Sequence, residues 1–302
     1  MKFSKKILVA VMAMMMVCVF AFSAACGEVT PAITLKSIDA TKVVARYTFN
    51  ELTATDDGMS TTAVAAIDAA GNPVEAMTGT LTSAVASTTT TRGLGNTAMD
   101  FTAGSISIPK VDTTNGIGVS FWGKGIASDW NAMLSVKVPE TNEWDATTVR
   151  ISAGNIDPWG IWEVNAFPAK AGYADYWLMA MGEAEGKIAE DEAHAFLGTE
   201  AITAAQAADW WYYTYVIRAN GDIDMYLNGN LAYHYANDLI PDGWETKTIG
   251  TYAQILLQYI AANGLEVCEG AAMCDDLLVT TALTDAEVAA VYAEVSAPVE
   301  AK

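Results

Sequence analysis

Short runs that alternate apolar and polar residues, or that are rich in β-branched and aromatic residues, dominate the chain after residue 40. Such runs predict β-strands. The pattern places strands at 43–49, 118–124, 133–138, 147–152, 160–164, 253–259 and 276–279. Residues 98–101 and 105–109 are predicted to pair as a hairpin that turns at Ala103 and Gly104.

The clearest local signal lies between residues 210 and 235. Three apolar and aromatic runs at 211–218, 223–227 and 231–235 are separated by Asn220-Gly221 and Asn228-Gly229. Asn-Gly accepts the positive φ angles that a two-residue hairpin turn needs at both central positions. The two turns therefore predict a three-stranded antiparallel meander.

A helix is predicted at the end of the chain. Thr284 and Glu287 have the spacing of a capping box, and Val288, Val291 and Val295 then recur at helical spacing. A second helix at 201–209 rests on alanine content alone. Many short strands with so few helices predict an all-β fold, an antiparallel two-sheet sandwich in one domain.

Charge and composition exclude two classes of protein. The 302 residues include 16 Lys and Arg against 36 Asp and Glu, which gives a formal net charge of −20. Nucleic acid is therefore not an expected partner, because phosphate contacts need clustered basic residues. The chain is 52% hydrophobic and only 17% charged, which argues against intrinsic disorder.

The first 25 residues have the features of a secretory signal peptide. Three lysines precede an apolar run at 7–22, and small residues at 23–25 precede Cys26. This stretch resembles the lipobox of bacterial lipoproteins, which implies lipidation of Cys26 and a tether over 26–39. The alternative is ordinary cleavage after Ala25 and secretion. Either route predicts an extracytoplasmic protein. If Cys26 is lipidated, the lipid anchor is the only contact with the membrane that is expected.

Two cysteines remain once Cys18 and Cys26 are set aside. Cys268 and Cys274 are close in sequence, and an oxidising exterior makes a disulfide between them the favoured prediction. Two free thiols are the alternative. Zinc is not expected, because neither histidine lies at ligand spacing from this pair.

The order of segments in the C-terminal half resembles a known family. Tyr-Leu-Asn-Gly at 226–229, Asp-Asp-Leu-Leu-Val at 275–279 and Ala-Leu-Thr-Asp-Ala-Glu-Val at 282–288 carry the resemblance. The chain is similar here to the concanavalin A-like, laminin-G-like jelly rolls of bacterial surface proteins, over residues 40–296, with 297–302 as a tail. The resemblance implies two curved antiparallel sheets with a C-terminal helix, carbohydrate on one face and a structural calcium ion at the edge.

Two groups of residues are candidates for ligand sites. Exposed aromatic rings stack on sugars, so the predicted glycan site consists of the tryptophans in the polar loops after residue 128: Trp130, Trp144, Trp159, Trp162 and Trp177. A second aromatic core under the loops is the alternative for each of them. Acidic pairs supply the oxygen ligands of calcium, and the pairs expected to meet are Asp56 with Asp57 and Asp275 with Asp276.

Catalytic patterns are incomplete. Glycoside hydrolases on this fold carry Glu-x-Asp-x-x-Glu, but the two nearest stretches, 183–188 and 222–227, have Ile188 and Leu227 at the third carboxylate position. Both stretches are interpreted as solvated turns. The leading hypothesis is therefore a non-catalytic, lectin-like surface protein that binds a glycan or polysaccharide. A surface adhesion or protein-binding module is the alternative, and a glycoside hydrolase comes third.

Overall fold

The computed structural model describes residues 34–52, 59–87, 97–124, 132–137, 148–156, 159–166, 210–238, 249–269 and 273–297. These residues form 14 strands and two α-helices. The strands are β1 (Val43–Tyr47), β2 (Met59–Val64), β3 (Gly79–Ser87), β4 (Ala98–Asp100), β5 (Ser105–Ile108), β6 (Ile117–Lys124), β7 (Ala132–Lys137), β8 (Thr148–Ile156), β9 (Trp159–Ala166), β10 (Trp210–Ile217), β11 (Ile223–Leu227), β12 (Asn230–Tyr235), β13 (Leu265–Glu269) and β14 (Met273–Thr280). The helices are α1 (Ile249–Asn263) and α2 (Asp285–Ser296).

The strands make two antiparallel sheets that share β3. The first sheet runs β12-β11-β10-β6-β14, and both β4 and β1 pair with the far edge of β14. The second sheet runs β2-β3-β5-β13-β7-β8-β9. The last three residues of β3 leave the second sheet and pair with β4. Ser83, with a φ of 50°, lies close to this change, as expected where a strand bends from one sheet to the other.

The main core lies between the two sheets. Phe121 and Tyr215 come from the first sheet, Leu81 and Val267 come from the second, and all four are fully buried in one cluster. Successive strand residues point to opposite faces, so Tyr213, Tyr215 and Ile217 of β10 all belong to this core.

Helix α1 occupies residues for which the sequence pattern predicted a strand at 253–259, and that prediction is wrong. Ala253, Leu256, Leu257 and Ile260 are buried in the main core. Their spacing of three, four and seven residues places them on one side of a helix. An apolar run of this kind is compatible with a buried strand or a buried helix. The helical spacing of its buried residues indicates the helix.

The outer face of the first sheet is covered by helix α2 and by residues 35–43. Trp122, Tyr212 and Tyr226 on this face pack in a second cluster with Val288 and Val291 of the helix. The predicted capping box is confirmed, since Thr284 accepts from the Glu287 amide and the Glu287 carboxylate accepts from the Thr284 amide. Because its apolar residues recur at helical spacing, one side of α2 is buried against the first sheet.

The N-terminal segment is tied to helix α2 by charged groups. The backbone amides of Lys36 and Ser37 donate to the Glu294 carboxylate at 2.7–3.0 Å. The Lys42 ammonium lies 2.6 Å from the Glu287 carboxylate. These contacts explain why the two ends of the described chain share one face of the sandwich.

The meander is confirmed as β10, β11 and β12. Asn228 and Gly229 both have positive φ, 50° and 76°, as a two-residue hairpin turn requires. The other connection is longer: residues 218–222 separate the paired Ile217 and Ile223, and within it Gly221 has a φ of 97°.

The predicted hairpin at 98–109 is wrong, although its strands exist. β4 pairs with β14 and β3, whereas β5 pairs with β13 and β3 in the second sheet. The turn between them therefore carries the chain from one sheet to the other. Gly104 is required there, because a Cβ atom at this position would lie 2.0 Å from the carbonyl oxygen of Thr82.

The all-β, two-sheet antiparallel jelly-roll sandwich with a C-terminal helix is confirmed. Within the described residues, no helix is both long and apolar enough to span a membrane. The signal peptide at 1–25, residues 26–33 of the tether predicted at 26–39, and the helix at 201–209 fall outside those residues. The single domain over 40–296 and the tail at 297–302 stay predictions.

Candidate functional site

Of the five tryptophans predicted to form the glycan site, the structure describes Trp159 and Trp162. Trp130, Trp144 and Trp177 lie outside the described residues. Trp159 and Trp162 belong to β9, where they pair with Ile156 and Ala153 of β8. Positions three residues apart on a strand belong to opposite faces of the sheet. These two residues therefore do not share one binding face.

The strand register shows which position belongs to which face. Position 164 of β9, two residues from Trp162, pairs with Ile151, and Ile151 pairs with Leu134. Leu134 is fully buried in the main core. Position 162 is therefore on the core face of the second sheet, and position 159 is on its outer face.

A continuous row of polar residues crosses that outer face, one residue per strand. The row, called the polar row below, consists of Thr80, Ser107, Glu266, Ser135, Arg150 and Asn165, each the register partner of the next. Thr80, Ser107 and Glu266 are half-buried, and the Ser107 hydroxyl lies 3.5 Å from the Glu266 carboxylate. Five strand spacings of about 4.8 Å give the polar row a length of about 24 Å.

The polar row offers chemistry suited to a saccharide. Hydroxyl, carboxylate, guanidinium and amide groups together provide both donors and acceptors. Sugar sites combine such groups with an aromatic surface, and position 159 belongs to the same face at the β8–β9 hairpin. The polar row is not among the sites predicted from the sequence. Its signal there is the alternation at 105–108 and 265–267, in which every second residue is polar.

Of the four predicted calcium ligands, the structure describes two. Asp276 is buried and accepts hydrogen bonds from Arg46, at 2.6 Å from Nε and 2.7 Å from Nη2. Burial lowers the pKa of Arg46, but the charge of Asp276 and its hydrogen bonds outweigh burial, so this pKa lies above its ordinary value. Asp56 and Asp57 lie outside the described residues.

The described part of the chain contains no group of three His, Cys, Asp or Glu residues that could hold a metal ion. The carboxylate of Asp276 is instead committed to its ion pair with Arg46. Asp275 lies beside it in β14 and is also buried. The calcium site stays a prediction.

A second charged cluster lies on the meander, at a stretch that was interpreted as a solvated turn. Asp224 is in fact buried in β11, and its carboxylate contacts Arg218 Nε and His234 Nδ1. Arg218 also donates to the Leu283 carbonyl, and the Tyr226 hydroxyl donates to Asp285 at 2.7 Å.

This cluster connects the meander to the start of helix α2. Burial lowers the pKa of Arg218, but the charge of Asp224 outweighs it, so that the pKa lies above its ordinary value. The sequence pattern does not reveal that Arg218 and Tyr226 also meet Leu283 and Asp285, which are about 60 residues further along the chain.

Cys268 and Cys274 are both buried and are free thiols in the structure. The disulfide between them stays a prediction. Both belong to the main core. The third predicted modification site, Cys26, lies outside the described residues.

No protein-family model and no curated protein matches this chain. Among solved structures it is similar to domain 4 of an extracellular arabinanase from Geobacillus stearothermophilus in complex with arabinotriose, with a TM-score of 0.45 and 14% identity, over 84% of this chain and 100% of that one. It is also similar to the binding domain of Paraclostridial Mosquitocidal Protein 1, with a TM-score of 0.42 and 13% identity, over 84% and 52%.

A further similar structure is the botulinum neurotoxin serotype D ligand-binding domain in complex with N-acetylneuraminic acid. The TM-score is 0.39 and the identity 13%, over 85% of this chain and 52% of that one. The chain thus spans about half the length of the two toxin-type structures that it matches.

Proposed function

We propose that this protein is a non-catalytic carbohydrate-binding module and that the outer face of the second sheet is its sugar-binding surface. The polar row is the observation that supports this proposal. The outer face of the first sheet is packed under helix α2, whereas the second sheet presents one polar residue per strand across six strands. A row of this length suits an extended oligosaccharide.

The polar row combines charge with hydroxyl and amide groups. Glu266 and Arg150 are each next to Ser135 in the strand register, on either side of it. Charged hydrogen-bonding groups flanked by hydroxyls recognise the vicinal hydroxyls of a sugar, because a carboxylate accepts and a guanidinium donates. Trp159 belongs to the same face, six residues along β9 from Asn165 or about 20 Å away, and is assigned to stack on a sugar ring at the β8–β9 hairpin end of this surface.

The proposal places the module outside the cytoplasm, attached to the membrane through lipidated Cys26. The lysine, apolar and small-residue pattern before Cys26 supports it. The resemblance of residues 40–296 to concanavalin A-like, laminin-G-like surface lipoproteins supports it as well. The structural calcium ion predicted at Asp56, Asp57, Asp275 and Asp276 belongs to the same proposal and is tested with it, although Asp276 is already paired with Arg46.

The experiment is a glycan-array screen of the full-length chain with and without calcium. The array includes arabino-oligosaccharides and sialylated glycans. Trp159→Ala is compared with Trp162→Ala, the same substitution on the same strand but on the opposite face. Trp159→Ala is expected to weaken binding about tenfold, or ~1.4 kcal/mol, with an unchanged melting temperature. Trp162→Ala is expected to lower the melting temperature and to leave the affinity of the folded protein unchanged.

Three results would overturn parts of the proposal. Binding to no glycan would reject the sugar site and favour the protein-binding alternative. Equal losses of affinity in the two tryptophan variants would reject the outer face as the site. Cleavage of a bound oligosaccharide during long incubation would replace the module with a glycoside hydrolase.

A further inference from the structure

The two buried cysteines flank the connection between the two sheets. Cys268 is in β13 of the second sheet, and Cys274 is in β14 of the first sheet. Residues 269–273 separate them in the sequence. A bond between the two sulfur atoms would therefore join the sheets directly, at the point where the chain crosses from one to the other.

The backbone turns Cys268 away from the direction that strand alternation gives it. Leu265 and Val267 are buried in the main core, and Glu266 between them belongs to the polar row on the outer face. Alternation would place Cys268 on the outer face as well. Cys268 instead has a φ of 60° and is fully buried in the core. Left-handed backbone is uncommon for a residue other than glycine, so this inward orientation is a specific local feature.

Cys274 comes from the first sheet. It is fully buried in the same core cluster, paired with Gly123 of β6 and Met99 of β4. Burial, followed by hydrogen bonding with the Cys268 side chain, raises the pKa of the Cys274 thiol well above its ordinary value. The two cysteines thus share one core cluster, and the folded protein shields them from solvent.

We propose that Cys268 and Cys274 form a disulfide that cross-links the two sheets. The Cys268 S–H and Cys274 S–H bonds break and one S–S bond forms. The two electrons and two protons pass to an external disulfide, which is reduced to two thiols. Because both thiols are buried in the folded protein, thiol–disulfide exchange takes place during folding or when the connection between β13 and β14 opens locally. The inference does not depend on glycan binding.

The test uses the full-length chain, unfolded in urea and refolded in a buffer of oxidised and reduced glutathione. Cleavage after Lys247 releases residues 248–302 as a single peptide, because no lysine or arginine interrupts it before Lys302. Both cysteines lie in this peptide, and Cys26 does not. After alkylation in denaturant, the expected peptide carries no alkyl group and is lighter by two hydrogen atoms than the dithiol form. Prior reduction should restore two alkylation sites.

Stability provides a second measurement. The oxidised chain is expected to melt ~5 °C above the reduced chain, because the cross-link restricts the unfolded state. A Cys268→Ala/Cys274→Ala variant should melt at the same temperature in both redox buffers. Two alkylated thiols in the refolded chain, or glutathione adducts on either cysteine, would overturn the proposal. A melting temperature that does not respond to redox state in the wild-type chain would overturn the cross-linking role.

Discussion

The buried ion pair between Arg46 and Asp276 allows a quantitative prediction. Arg46 lies in β1 and Asp276 in the neighbouring β14, and their side chains are only 9% and 11% exposed. The guanidinium donates from Nε and Nη2 to the two carboxylate oxygens, at 2.6 and 2.7 Å. Arg46→Met keeps most of the side-chain length and removes the charge, so that the carboxylate of Asp276 remains in the interior without its partner.

The cost follows from the loss of that partner. Removing one member of a buried ion pair destabilises a protein by about 3–5 kcal/mol, because the remaining charge stays poorly solvated. The chain offers a matched control in Lys42 and Glu287, whose side chains are 32% and 24% exposed. A pair with such access to water contributes at most ~1 kcal/mol, and Lys42→Met should cost no more than that.

The assay is urea unfolding of the wild type, Arg46→Met, Asp276→Asn and the double variant. Asparagine is the suitable replacement, because Asp276 has a φ of 50° and asparagine tolerates left-handed backbone. The double variant should lose less free energy than the two single variants together, since neither charge is then buried alone.

Two results would refute this reasoning. One is a loss of stability in Arg46→Met no larger than that in Lys42→Met. The other is strict additivity in the double-mutant cycle, which would mean that the two side chains do not interact energetically. Either would show that the two side chains do not behave as a buried ion pair.

Three further predictions concern the elements around the sandwich. Burial raises the pKa of Glu287, but hydrogen bonds from Lys42 and Thr284 outweigh burial and hold this pKa below its ordinary 4.5. The Glu287 carboxylate therefore stabilises the fold fully above pH 4.5, and this stabilisation is lost as the pH falls through the lower pKa of the folded state. Urea unfolding at several pH values should show less acid sensitivity in Glu287→Gln. Gly104→Ala should cost ~1–3 kcal/mol in thermal unfolding, because the new methyl group would meet β3. Asp224→Asn should lower amide-exchange protection in α2, because Arg218 loses its charged partner.

Each of these predictions has a clear counter-result. An unchanged acid sensitivity in Glu287→Gln would mean that another carboxylate controls the acid response. A Gly104→Ala protein as stable as the wild type would mean that the turn between the sheets can shift away from β3. Unchanged exchange in α2 for Asp224→Asn would show that the charged cluster does not secure this helix, and His234→Ala is the control that leaves the Arg218 contact in place.

The candidate site was only partly accessible to sequence reasoning. The prediction grouped Trp159 and Trp162 because they are close in sequence and surrounded by polar residues. Strand geometry assigns them to opposite faces, and only the register with Leu134 identifies the core face. The polar row was missed altogether, because its six members come from six strands and become neighbours only when the sheet forms.

What the sequence determined by itself is local. The Asn228-Gly229 turn and the Thr284–Glu287 capping box form as predicted, because a few adjacent residues contain the whole backbone preference and hydrogen-bond pattern. The strands and the final helix follow from apolar spacing within single segments. The all-β class then follows from the number of such strands and the scarcity of helices.

Tertiary structure decided which segments became partners. β4 and β5 are adjacent in sequence and belong to different sheets, and Arg218 and Tyr226 of the meander meet Leu283 and Asp285 at the start of α2. Cys268 faces the core against the alternation of its own strand. These outcomes depend on contacts between residues far apart in the chain, and local preferences carry no information about which distant strand supplies them.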